Sequence, residues 1–146
     1  MISIIDYGNG NLAAFANIFS QLKVEFCITA DHNKLKCSDK YILPGVGAFD
    51  AAIDSLQKSK FIDPIKYIVS TGTPILGVCL GMQLLFTNSE EGELKGLDLI
   101  KGNVTEIIKK DKDMKIPHMG WNSIKIKSNS ILFTNIKVEE YFYFVH

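Results

Sequence analysis

The chain has 146 residues, 47% of them hydrophobic, which is material for one packed domain over residues 1–146. Sixteen lysines, no arginine and sixteen acidic residues leave no formal net charge, so neither a nucleic acid nor another polyanion gains electrostatic support. No apolar run approaches the roughly 18 residues of a membrane span. No basic segment marks a signal peptide, and Cys27, Cys37 and Cys79 lack metal-ligand spacing, which reads as free thiols in a cytoplasmic chain with neither metal nor cofactor.

In chain order, Ile2–Ile5 reads as a buried first strand ended by Asp6. Gly8 to Asn11 turns into a helix with Leu12, Phe15, Ile18, Phe19 and Leu22 at helical spacing. Val24–Ile28 and Tyr41–Leu43 read as the next strands, the latter stopped by Pro44-Gly45. Phe49, Ile53 and Leu56 mark a second helix. Asp63-Pro64 reads as an N-cap with proline at the first helical position of a third. Thr71 to Pro74 then launches an apolar strand toward Cys79. Strands alternating with helices imply an α/β fold with a mainly parallel sheet.

The segment Gly77-Val-Cys79-Leu-Gly81-Met-Gln83 is the most informative. A strand runs into it, and an apolar helical segment of Leu80, Leu84, Leu85 and Phe86 leaves it. A cysteine between glycines at a sharp strand-to-helix turn has the logic of a Gly-x-Ser-x-Gly nucleophile elbow, with sulfur replacing oxygen at a helix N-terminus that favours negative charge. The same spacing also suits a small buried cysteine in a core strand.

After Gly92 the pattern changes. Val104–Ile108 and Ile124–Lys127 read as strands of an antiparallel extension, with a charged hairpin or loop over Lys109–Lys115. The chain ends in the aromatic run Tyr141 to His146, and a stop inside an apparent core strand reads as a truncation.

IIDYGNGNL (4–12), LPGVGAF (43–49), GVCLGMQLLF (77–86) and PHMGWN (117–122), in that order along the chain, resemble the glutaminase subunits of imidazole glycerol phosphate synthase, which are class I triad-type glutamine amidotransferases. The resemblance covers the whole chain. It implies a flavodoxin-like three-layer fold and hydrolysis of L-glutamine to glutamate and ammonia. It also implies a heterodimer with a (β/α)₈-barrel synthase, which uses the ammonia to make imidazole glycerol phosphate for histidine synthesis. Paralogues that feed surface-sugar amination, and a non-catalytic docking subunit, are the alternatives.

On that resemblance Cys79 is the nucleophile, and the amides of Leu80 and Val46 form the oxyanion site. The glycines at 45 and 47 would let the Val46 peptide rotate. Gln83, one helical turn past Cys79, holds the substrate glutamine with Glu91 and the backbone near Gly47; Glu90 is the other register for the carboxylate. Asn11, His118, Met119 and Trp121 resemble the contact zone with the synthase, although Trp121 also suits a core. Neither His118 nor His146 matches the family's triad histidine, His32 reads as solvated, and no His-Pro-Glu segment occurs in these 146 residues. The chain as given is therefore expected to carry a nucleophile without its base, and to be nearly inactive.

Overall fold

Ile2–Ile5 (β1), Phe26–Thr29 (β2), Lys40–Leu43 (β3) and Ile75–Gly77 (β4) form one parallel sheet in the order β2-β1-β3-β4. The structure is a computed structural model that describes residues 1–109, 115–128, 130–136 and 140–146, excepting the side chains of residues 36 and 37. The strand order is that of a flavodoxin-like sheet. Among the described residues no helix is long and apolar enough to cross a membrane. The chain forms two compact units, Met1–Glu106 and Ile107–His146.

Register assigns the two faces of the first unit's sheet. Ile4 lies opposite Ile28 and Ile42, and Ile42 opposite Leu76, so these four share one face. Helix α1 (Leu12–Gln21) lies on that side, with the Phe19 and Phe26 ring centroids 5.7 Å apart. The other face carries Ile5, Tyr41 and Leu43 into the main core. There they meet Phe49, Ile53 and Leu56 of α2 (Phe49–Lys58), Ile65 and Ile68 of α3 (Ile62–Ser70), and Leu80 and Leu84 of α4 (Leu80–Leu84). Each large side chain buried there contributes about 1.5–3 kcal/mol of transfer free energy, so the weight of folding lies on this face. By contrast α1 buries no residue fully, and Ile18 and Leu22 stay exposed.

The strands Phe86–Ser89 (β5) and Ile100–Val104 (β6) pair parallel, beyond the C-terminus of α4. In the second unit, Met119–Ser123 (β7) and Tyr141–Val145 (β8) pair antiparallel, with Trp121 opposite Tyr143. The chain thus holds a four-stranded parallel sheet and a parallel pair in the first unit, and a separate antiparallel pair in the second.

Several expected boundaries move. The strand expected at Val24–Ile28 begins at Phe26, because Val24 closes the end of α1: its amide donates to Phe19 and that of Lys23 to Ser20, a Schellman motif with Lys23 at φ 54. Lys60 (φ 60) ends α2 in the same way. Asp63 is not the N-cap of α3, which begins at Ile62 with Phe61 as cap; Pro64 still falls in the first turn, where its missing N–H has no helical partner. The helix after Cys79 stops at Leu84, and Phe86 starts β5. Val104 closes β6, and residues 105–108 form no strand. Ile124–Lys127 is also irregular, because the pairing partner of β8 is Met119–Ser123. The expected loop over 109–115 lies almost wholly outside the described residues.

A lysine in the left-handed region is strained where glycine is not. Lys60→Gly should therefore raise the urea midpoint of unfolding by the equivalent of about 1 kcal/mol, net of the extra freedom that glycine gives the unfolded chain.

Candidate active site

Cys79 stands between β4 and α4 with φ 56 and ψ −124 and is exposed; it is not a mid-strand core residue. That backbone conformation is rare for a residue with a side chain, and it occurs here at the one turn that lifts a thiol off the sheet edge.

The flanking glycines make the turn possible by close approach. A Cβ on Gly81 would stand 1.9 Å from the Leu43 carbonyl oxygen, and one on Gly77 would stand 2.5 Å from the Met82 Cα. Gly45 answers from the neighbouring loop, where a Cβ would meet the Gly81 nitrogen at 2.5 Å. The elbow and the Pro44–Gly47 loop therefore touch main chain to main chain. Tyr7 supports the loop, its buried hydroxyl donating to the Pro44 carbonyl at 2.8 Å. Burial pushes that phenol well above its ordinary range, so it remains a donor.

The amides about the sulfur can be accounted for one by one. Gly81 N–H donates to Val78 O at 3.0 Å, and Met82 and Gln83 donate to Cys79 O at 2.9 and 3.4 Å. The Leu80 amide is left without an acceptor among the described residues, as an oxyanion donor should be. The Val46 amide is occupied: it donates to Asn9 Oδ1 at 3.2 Å. Gly47 (φ 86) has open space around it and can turn, whereas Gly45 is pinned by Gly81. Sequence reasoning placed Asn9 with Asn11 in the expected partner contact zone and missed its hold on the Val46 amide.

Gln83 turns inward, and its Oε1 is buried without a hydrogen-bond partner among the described residues. The two glutamates of the 90–91 register differ in what they do. Glu90 is spent locally, its Oε2 accepting the Glu106 amide at 2.7 Å. Glu91 is exposed and its carboxylate has no partner among the described residues, while its amide is held by Ser89 Oγ at 3.2 Å. Asn11 uses its side-chain oxygen to cap α1, accepting the Ala14 amide at 3.2 Å. Among the described residues no cluster of three or more ligating side chains could hold a metal.

Each histidine has a partner within its own unit. In the first unit the His32 ring stands edge-on to Phe61. In the second unit Asn122 Nδ2 lies 2.7 Å from His118 Nε2, and His118 Nδ1 lies 3.2 Å from His146 Nε2. Among the described residues no carboxylate is hydrogen-bonded to either ring. Met119 and Trp121 are exposed, Trp121 by 67%, which removes the core reading of the tryptophan.

The sequence matches the family model described as glutamine amidotransferase class-I over residues 3–146. It is 48% identical over 149 residues to the imidazole glycerol phosphate synthase subunit HisH of Sulfurimonas denitrificans, covering 100% of this chain and 72% of that protein. Identity to the subunit of the same name from Methanocaldococcus jannaschii is also 48%, with the same coverage. A solved structure titled "Crystal structure of glutamine amidotransferase" superposes with a TM-score of 0.65 at 14% identity, over 84% of this chain and 62% of that one, and shares the fold.

The exposure of Cys79 beside a free amide predicts selective alkylation. Iodoacetamide should label Cys79 well ahead of Cys27, whose sulfur is half-buried in the sheet against Ser3 Oγ at 3.5 Å; peptide mapping that finds equal rates at the two would contradict the geometry.

Proposed function

Since this chain belongs to the class-I glutamine amidotransferase family and, within it, to the HisH subunits of imidazole glycerol phosphate synthase, we propose that it presents the thiol that takes ammonia from L-glutamine for a synthase partner. The observation that carries the reading is the strained, exposed Cys79 beside the unoccupied Leu80 amide. The sulfur attacks the side-chain amide carbon, and the carbonyl electron pair moves onto oxygen. The Leu80 amide, and the Val46 amide once released from Asn9, then donate to that oxygen. Collapse breaks the C–N bond as the nitrogen takes up a proton, so ammonia leaves and a γ-glutamyl thioester remains. Water hydrolyses the thioester to glutamate and regenerates the thiol.

Substrate selection follows from charge. A carboxylate pairs with a cation, and the only cation on glutamine is its α-ammonium, so Glu91 is the ligand for that end. Gln83 and the backbone near Gly47 hold the rest. The partner is proposed to be a (β/α)₈-barrel synthase subunit in the cytoplasm that uses the ammonia in making imidazole glycerol phosphate for histidine. The names of the relatives favour that destination over surface-sugar amination.

Both proton transfers need a base near the sulfur. No imidazole among the described residues is hydrogen-bonded to a carboxylate, which supports reading these 146 residues as the nucleophile half of a triad site. The purified 146-residue chain should therefore release glutamate at least about 10²-fold more slowly than a site with an oriented base. Release at ordinary glutaminase rates, abolished by Cys79→Ala, would assign the base's work to a histidine of this chain.

If Met119 and Trp121 form the docking face, Trp121 emission should shift when a synthase subunit is added, and Trp121→Ala should weaken binding by more than about 1 kcal/mol. An unchanged spectrum at saturating partner would remove Trp121 from the interface.

A further inference from the structure

Asp50 lies in the first turn of α2, a helix whose cap residue Ala48 makes no side-chain cap. Its carboxylate reaches across to a loop more than forty residues away in sequence. Oδ2 accepts the Glu93 amide at 3.0 Å, and Oδ1 accepts the Leu94 amide at 3.0 Å. Gly92 is pressed against it so closely that a Cβ there would stand 2.0 Å from Oδ1. These residues directly follow Glu91, and on its other side the loop is tied by the Glu91 amide to Ser89 Oγ. Glu91 is thus gripped before and after, while its own carboxylate stays free.

We infer that Asp50 is a positioning residue for glutamine binding. Its two-amide grip holds the loop so that the Glu91 carboxylate stands ready for the α-ammonium of the substrate. Because α2 starts directly after the Pro44–Gly47 loop, one short helix fixes the oxyanion side and the ammonium side of the site together. The inference rests on the reading of Glu91 as the ammonium ligand. A merely structural Asp50 would change stability without distinguishing ligands that have an α-amino group from those that lack one.

The test uses the full 146-residue chain and follows alkylation of Cys79 by iodoacetamide. L-glutamine is the protecting ligand, and glutaramate, which lacks the α-amino group, is the comparison. Asp50→Ala should raise the half-protecting concentration of L-glutamine roughly tenfold while moving that of glutaramate less than about twofold. The alkylation rate without ligand should stay unchanged. Asp50→Asn, which keeps one acceptor oxygen, should fall between wild type and Asp50→Ala, and it carries the comparison if the alanine variant does not fold. Equal losses for both ligands, or unaltered protection by L-glutamine, would overturn the inference. Loss of protection in Glu91→Gln with full protection in Asp50→Ala would overturn it while leaving the glutamine site standing. A wild-type chain that L-glutamine fails to protect would overturn both.

Discussion

The site depends on one contact between main chains, in which Gly81 rests on the Leu43 carbonyl and the Pro44–Gly45 peptide. No side chain fits there, since a Cβ at 81 would lie 1.9 Å from that oxygen. The distance between the thiol and the neighbouring loop is therefore set by backbone packing, which is stiff and has no rotamers to explore. The other fixtures extend from this contact. Tyr7 holds Pro44 by its carbonyl, and Gly10 lets the first loop press against the Pro44 ring, where a Cβ would come within 2.8 Å.

A second property of the site is that its polar groups are held ready at a cost. Gln83 Oε1 is buried without a donor among the described residues, an arrangement that usually costs about 1–3 kcal/mol and that few folded chains tolerate without a purpose. Among the described residues the Leu80 amide has no acceptor and the Glu91 carboxylate no cation. The Val46 amide differs, being neutralised by Asn9. The site thus combines donors and acceptors left open with one that has to change partners. Local rules of good folding are broken where function is proposed to be, and the core of Phe49, Leu56 and Ile65 carries the cost.

Much of this was legible in the sequence. Gly-x-Cys-x-Gly after an apolar run identified the turn, because strand, elbow and helix each leave a local signal. The division of labour among the glycines did not show, since it depends on which backbone lies opposite. Lys23 and Lys60 concealed two helix ends because the usual sign, a glycine, is missing there. The clean alternation of Ile124–Lys127 suggested a strand, yet the Tyr141–Val145 partner selected Met119–Ser123, despite Gly120 and Asn122 within it. Strand identity in such a pair is decided by a neighbour some twenty residues away and not by local preference. Glu90 and Glu91 are alike in the sequence pattern; in the structure Glu90 accepts the Glu106 amide, a local partner that the Glu91 carboxylate lacks among the described residues. Asp50 left no sequence signal at all, because both its partners are backbone amides.

The paired strands of the second unit have a consequence for the behaviour of the chain in concentrated solution. Met119, Trp121, Tyr141, Tyr143 and Val145 are all exposed, and the register places them on one face of the ladder. Among the described residues each strand is paired on one side only, which leaves a row of free amides and carbonyls along the other. An aromatic, β-prone ribbon with open edges is a template for adding further strands, and a chain without net charge has little long-range repulsion to keep copies apart. Colloidal stability is therefore lowest where the molecule is most apolar outside. A partner that docked on that ribbon would also protect it against self-association.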